Sequence, residues 1–277
     1  MKSFLLFGLY SGWMFFAAVG MLLAAMIAPR RAAGFLGLLA ISLAVLGAPP
    51  LPILLAIPAL IAALAYLLAG ARATKALRAA AVAACILVTA VELPYHLRRP
   101  PTTRPSHLFV IGDSLASGGF GEVAPWPSVL GRELRLPVTN LALPSDNAAM
   151  ALENQIPRLP TPGSGRECVI VEIGGNDMLE ETPADRFATA LDGVVAKASE
   201  SGRRCVIMLE LPLLPGRWRY GAIQREVAAK HGSVLVPKRI LARALTGAGN
   251  TSDGVHLTQR GHDALARDLA AWLSWPG

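Results

Sequence analysis

Acidic residues are nearly missing from the first 106 positions, where Glu92 stands alone against nine Lys/Arg. Residues 107–277 carry 17 Lys/Arg and 18 Asp/Glu. The overall excess of +7 therefore belongs entirely to the first segment, and the second offers no basic face to nucleic acid. Charge is scarce overall, at 16% against about 25% in ordinary globular chains. Cysteine is scarcer still. Three in 277 residues exclude a disulfide scaffold, and their spacing excludes a zinc site. Aromatics are only 6%, and no basic-aromatic stretch, phosphate loop or metal cluster occurs. What fills the chain is apolar: 53% without counting glycine, which excludes an extended disordered protein.

The apolar residues are concentrated at the front. Phe4–Ala28 is uncharged and ends at Pro29-Arg30-Arg31. A span needs about 20 apolar residues, and a cleaved signal has an apolar region of about 7–15. The stretch is thus predicted to be a membrane span. Ala32–Ala71 is also uncharged and is broken by Pro49, Pro50 and Pro52. It reads as a tight hairpin of Ala32–Gly47 and Leu51–Ala69. Leu77–Val91 is a fourth candidate, bounded by Arg78 and Glu92. Glu92 reads either as an ion or proton site within the membrane or as an interfacial carboxylate near Arg98 and Arg99, and its boundary position favours the second. Four spans put Arg30, Arg31, Arg72, Lys75 and Arg78 on one side and Lys2, Arg98, Arg99 and Arg104 on the other. The expectation is an integral membrane protein, with the lipid bilayer as partner and the C-terminal domain on the non-cytoplasmic side.

Residues 1–99 thus form a transmembrane region of about four helices, 100–106 (PPTTRPS) a semi-rigid linker, and 107–277 a separate domain. In that domain apolar runs alternate with helical stretches. Leu108–Ile111, Val138–Leu141, Cys168–Ile173, Cys205–Leu211 and Ser233–Val236 read as buried parallel strands. Thr182 is the expected N-cap of a helix carrying Phe187, Leu191, Val194, Val195 and Ala198, closed by Gly202. A final helix carries Leu265, Leu269, Trp272 and Leu273 on one face. Strand–helix alternation implies an α/β fold with a doubly wound parallel sheet and ligands beyond the strands' carboxyl ends.

Three loop elements carry chemistry. Gly112-Asp113-Ser114 leaves the first strand with a hydroxyl at its carboxyl end. Gly174-Gly175-Asn176-Asp177 leaves the third, where Asn176 can offer its amide to a developing oxyanion. Asp253-Gly254-Val255-His256 precedes the last helix, at a spacing that lets a carboxylate hold the imidazole's far N–H. Each alone is an ordinary turn. Together they supply a nucleophile, an oxyanion donor and an oriented base.

With these blocks, residues 107–277 resemble the SGNH hydrolases, the GDSL lipase/esterase family. The resemblance implies a flavodoxin-like α/β/α sandwich around a five-stranded parallel sheet. It implies Ser114 as nucleophile, His256 as base, Asp253 as its orienter, and Asn176 with the Ser114 backbone N–H as oxyanion donors. Neither a metal nor an organic cofactor is needed. The family's second-strand glycine is replaced here by Ser145, whose backbone N–H stays available while its side chain crowds the site. The implied activity is membrane-anchored ester hydrolysis through an acyl-enzyme, on a small-molecule, lipid or glycan ester. An O-acyltransferase of an envelope glycan or lipid and a silent envelope binding module are the alternatives.

Other polar residues stand apart. Glu172 and Glu210, inside predicted strands, are either carboxylates supporting the site or structural ion pairs. Arg217–Tyr220 follows the fourth strand in a loop expected beside the crevice, and reads either as contacts to an anionic or sugar substrate or as a solvated loop and helix start. His107, His231 and His262 read as surface residues. Cys168 and Cys205 align side by side, but parallel strands about 4.8 Å apart leave their Cβ atoms farther apart than a relaxed disulfide wants. The expectation is two thiols.

Overall fold

The computed structural model describes residues 2–47, 49–118 and 123–275. Its C-terminal part is built on β1 (His107–Gly112), β2 (Val138–Asn140), β3 (Glu167–Glu172), β4 (Cys205–Leu209) and β5 (Val234–Val236), all parallel, in the order β2-β1-β3-β4-β5. The apolar runs of β1, β3 and β4 became strands covered on both faces, whose side-chain alternation divides them between two cores, while β2 is a half-buried edge strand. Phe109, Ile111, Val169, Val171 and Met208 meet α8 (Ala148–Asn154), α10 (Ala184–Ser199) and α11 (Trp218–His231). Leu108, Val110, Ile170, Ile207 and Leu209 meet α7 (Trp126–Leu134), α12 (Arg239–Thr246) and α13 (Gln259–Leu273). Two short helices, α6 (Ser114–Ser117) and α9 (Gly175–Leu179), start at the carboxyl ends of β1 and β3. This is the expected α/β/α sandwich, with its switch point between β1 and β3, where connections leave in opposite directions.

Several expectations of detail are corrected. The cap of α10 is Pro183, because Thr182 is held outside the helix by its backbone, its N–H on the Asp177 carbonyl and its carbonyl on the Tyr220 hydroxyl. His262 is buried, not on the surface, where its Nδ1 accepts the Trp126 backbone N–H. Cys168 and Cys205 are in the expected register but are joined as a disulfide. Their Cα atoms are 4.5 Å apart, closer than the mean strand spacing and inside the range a bridge accepts.

The front of the chain folds as α1 (Lys2–Ser11), α2 (Trp13–Ala25), α3 (Arg30–Leu46), α4 (Ile53–Ala69) and α5 (Lys75–His96). The expected first span is broken. Gly12 takes φ +79°, and α1 turns 90° from α2 to pack on α12. A side chain at Gly12 would collide with Lys238 and His96, so only glycine permits this corner. Of the two arms after it, α3 packs chiefly along α2 and α4 along α5, and the arms meet each other where Gly37 faces Leu67. Among the described residues only α5 is by itself long and apolar enough to cross a membrane, while α3 and α4 are 17 residues each.

The linker is strapped down. The carbonyls of Arg98 and Pro101 accept the indole N–H groups of Trp272 (3.0 Å) and Trp275 (2.7 Å). Arg104 donates to the carbonyl of Leu134 at the end of α7 (2.7 Å), and Ser106 bonds Arg166. The chain therefore runs from His96, beside Lys238 and Arg239 just past β5, back to the start of β1. The helices consequently dock on the rim formed by the strands' carboxyl ends.

Candidate active site

Ser114 opens α6 directly beyond β1. Asp113 caps that helix, its Oδ1 accepting the Leu115 N–H at 2.9 Å. Gly112 is required by close approach. An added Cβ would lie 2.6 Å from the Ala116 Cβ and 3.1 Å from a Glu172 oxygen.

The second strand's loop is tied to this turn. Gln155 holds the backbone of Gly112 on both sides, accepting its N–H (3.0 Å) and donating to its carbonyl (2.8 Å), and also donates to Asp146 (2.8 Å). Asn140 donates to the Ala116 carbonyl at 2.8 Å. Asn176 in turn donates from Nδ2 to the Asp146 carbonyl at 2.9 Å. The loops after β1, β2 and β3 are thus pinned together by direct hydrogen bonds. Ser145, just before Asp146, is exposed and sits at φ +65°. This is the left-handed region that suits glycine, which explains why the resemblance expects one there.

The His256 loop is closed by a bridge between Thr251 and Leu257 and by the Thr258 N–H on the Asn250 carbonyl. Within it Asp253 uses both oxygens. Oδ1 accepts the backbone N–H groups of Val255 (2.9 Å) and His256 (2.8 Å), and Oδ2 lies 2.6 Å from His256 Nδ1. The hydrogen bond with His256, then the two backbone bonds, hold the Asp253 carboxyl well below the usual carboxylate range. Asp253 therefore stays ionised and fixes the ring with Nε2 free to face outward. Gln259, three residues beyond His256, ties the start of α13 to the loop after α6, accepting the Ala124 N–H at 2.8 Å and donating to its carbonyl at 3.2 Å.

Beneath the turn lies a set of buried acids, of which only Glu172 was singled out from sequence. Asp113, Asp146, Glu172 and Asp177 are all nearly inaccessible. Burial pushes the Asp113 carboxyl up to about 6, with the charges of Asp177 and Asp146 adding to it. Burial and then the Asp113 charge push Glu172 well above its ordinary value, and one Glu172 oxygen has no hydrogen-bond partner among the described residues. Asp177, also raised by burial, accepts the Ala148 N–H at 2.9 Å at the start of α8. Glu172 thus faces Asp113 rather than a cation. Glu210 lies apart and pairs with Arg225 at 2.7 Å. Arg217 pairs with Glu181, and the Tyr220 hydroxyl bonds the Thr182 carbonyl at 2.7 Å. Residues 119–122, within the loop after Ser114, lie outside the described residues.

Comparison with known proteins bears on the fold. The sequence model of the GDSL-like Lipase/Acylhydrolase family matches residues 110–264. No curated protein matches the chain. Among solved structures, the psychrotrophic esterase EstA from Pseudoalteromonas sp., inhibited by monoethylphosphonate, superposes with a TM-score of 0.52 at 18% identity. That match covers 61% of this chain and 96% of the esterase. TesA superposes with a TM-score of 0.50 at 24% identity, covering 61% of this chain and 98% of its own. At these identities the likeness is one of fold.

Proposed function

Because the chain belongs to the GDSL-like Lipase/Acylhydrolase family, we propose that it is a serine ester hydrolase acting through an acyl-enzyme on Ser114. The observation that carries this reading is the Asp253–His256 pair, whose 2.6 Å contact and two supporting backbone bonds leave one imidazole nitrogen to serve as base. Ser114 Oγ attacks the ester carbonyl carbon and gives its proton to His256 Nε2, while the carbonyl π electrons move onto oxygen. The backbone N–H groups of Ser114 and Ser145 and the Asn176 amide stabilise that oxyanion. Collapse breaks the bond to the leaving alkoxide, which takes the proton from His256. Water then gives a proton to His256 and attacks the acyl carbon, and collapse of that intermediate releases the free acid as Ser114 Oγ leaves and takes the proton back from His256.

The helices α2–α5 associate the enzyme with a bilayer in this reading. Leu54, Leu68, Phe35, Leu38 and Ile86 are exposed on them at 63–91%, a patch that a chain in water rarely leaves uncovered. The rim bearing Ser114 is the rim on which these helices dock, so the enzyme works next to the membrane surface on lipidic or envelope-bound esters. The Cys168–Cys205 disulfide supports a non-cytoplasmic catalytic domain, since such bonds persist in oxidising compartments. The test is turnover of p-nitrophenyl esters from acetate to palmitate by full-length protein in detergent. Wild type should release p-nitrophenol, and Ser114→Ala should lose at least 10³-fold, on the order of the loss expected of a nucleophile. Equal turnover by both proteins would reject the mechanism.

A further inference from the structure

A cavity of about 440 Å³ lies between α3 and α4, backed by α2 and α5. It falls within the size range of small-molecule pockets, roughly 300–1,000 Å³. Its wall is opened by alanines, among them Ala40, Ala44, Ala59 and Ala63, and one end is closed by Pro215 and Trp218 of the catalytic domain.

Water is a poor occupant. A buried water needs about two to four polar partners, and among the described residues the only polar side-chain groups in this wall are the Cys85 thiol and the Trp218 indole N–H. An empty space of this size forfeits the van der Waals contacts of every residue lining it. A helix from a second copy is too thick, being about 10 Å across with its side chains, and the space is a slot within the bundle, not a face upon it. The slot opens sideways, because Val45, Leu46 and Leu60 both line it and are 45–58% exposed. Beyond them stand the exposed Leu38, Leu54 and Ile61. At the closed end, Trp218 carries the Arg219 guanidinium 5.9 Å from its ring centre, an amphipathic and cationic pair suited to the depth of lipid headgroups.

We propose that this slot binds one hydrocarbon chain of a bilayer lipid, entering between α3 and α4 with its polar end toward Trp218. The proposal rests on the membrane association inferred above, and it is independent of the hydrolytic mechanism. About 150 Å³ suffices for a benzene ring, so 440 Å³ accommodates a long alkyl chain.

The experiment is photocrosslinking of full-length protein in phosphatidylcholine vesicles containing a phosphatidylcholine with a diazirine in one acyl chain, followed by peptide mapping. Wild type should be labelled on two sets of peptides: those lining the slot, around Ala18–Leu22 and Trp218, and those on the outer face, around Leu54 and Leu68. Ala44→Phe and Ala59→Phe, which fill the slot, should each cut slot labelling at least tenfold and leave outer labelling and p-nitrophenyl acetate turnover unchanged. If either fails to fold, wild-type mapping alone decides. Outer labelling without slot labelling, or slot labelling unchanged in folded filled variants, overturns the proposal. Absence of labelling on both sets overturns the membrane association with it.

Discussion

The Arg225 guanidinium on α11 donates to both carboxylate oxygens of Glu92 on α5, at 2.6 and 3.0 Å, across 133 residues of sequence. Glu92 is completely buried. Its other neighbours are His96 (3.2 Å) and Lys238 (3.5 Å), while Arg225 also reaches Glu210 and lies 3.5 Å from the centre of the Tyr95 ring. Neither Arg98 nor Arg99 pairs with it, contrary to the sequence expectation, and its location at the domain junction replaces both readings made from sequence. Glu92 and Glu210 thus face Arg225 and Lys238 within one buried cluster. Removing one member leaves an uncompensated buried charge, at a cost of about 3–5 kcal/mol. Glu92→Gln should therefore lower the unfolding free energy by about that amount in detergent, with turnover per folded molecule retained because Ser114 lies on the other half of the sheet. A change below about 0.5 kcal/mol, the scale of an ordinary surface substitution, would show that the cluster does not hold the helices to the catalytic domain.

Asp253→Asn should preserve the loop, because an amide oxygen can still accept the Val255 and His256 N–H groups. It also lets the imidazole adopt the wrong tautomer, and kcat should fall by about 10⁴. Asn176→Ala removes one oxyanion donor and should cost about 10²–10³ in kcat. Steady-state kinetics on a short-chain ester, with circular dichroism to verify folding, check both. Loss of KM alone in either variant would contradict the assigned roles.

Ser145 holds φ +65° without being glycine, at a strain of about 1–2 kcal/mol. Ser145→Gly should raise the melting temperature and keep or raise activity. Ser145→Ala should be near neutral, and Ser145→Val should lose activity by crowding the tetrahedral intermediate. A loss of roughly 100-fold in both the Gly and Ala variants, the scale of a lost oxyanion donor, would mean that the hydroxyl takes part.

The acids under the nucleophile turn give a pH dependence of known sign. Asp113 titrates near 6 in the folded chain and near 3.9 when unfolded. Between those values the folded protein retains a proton that the unfolded chain has released. Stability from this group is thus full at low pH and is lost as pH rises through about 6. Glu172, raised in the same direction by burial and by Asp113, extends the loss upward. Glu172→Gln removes one of the two charges. It should raise the melting temperature at pH 8 and flatten its decline between pH 5 and 8. An unchanged slope would show that the two carboxyls do not interact.

The sheet was legible because strands buried on both faces are written as apolar runs: LFVI at 108–111 and CVIV at 168–171 each needed no context. Ser114, Asn176, Asp253 and His256 stood out in the sequence only in combination, because each block alone is an ordinary turn, and of their expected contacts the structure shows the Asp253–His256 one. Gln155 was not, since its contacts to Gly112 and Asp146 span residues that no local pattern joins. Glu92 and Arg225 were missed for the same reason. The break at Gly12 escaped notice because one glycine in an apolar run leaves hydropathy unchanged, and only the packing against Lys238 and His96 reveals the corner. The disulfide was misjudged from the mean strand spacing, and the Cα atoms of Cys168 and Cys205 come closer than that mean.

The most direct test of the account is labelling of full-length protein with a fluorophosphonate, followed by peptide mapping. The reagent phosphonylates a serine only when an adjacent base and oxyanion donors activate it, so it reports the assembled site independently of any substrate. The account predicts a single adduct on Ser114, abolished in Ser114→Ala and strongly slowed in His256→Ala. No adduct on folded wild-type protein, or an adduct on another serine that persists in Ser114→Ala, would contradict it.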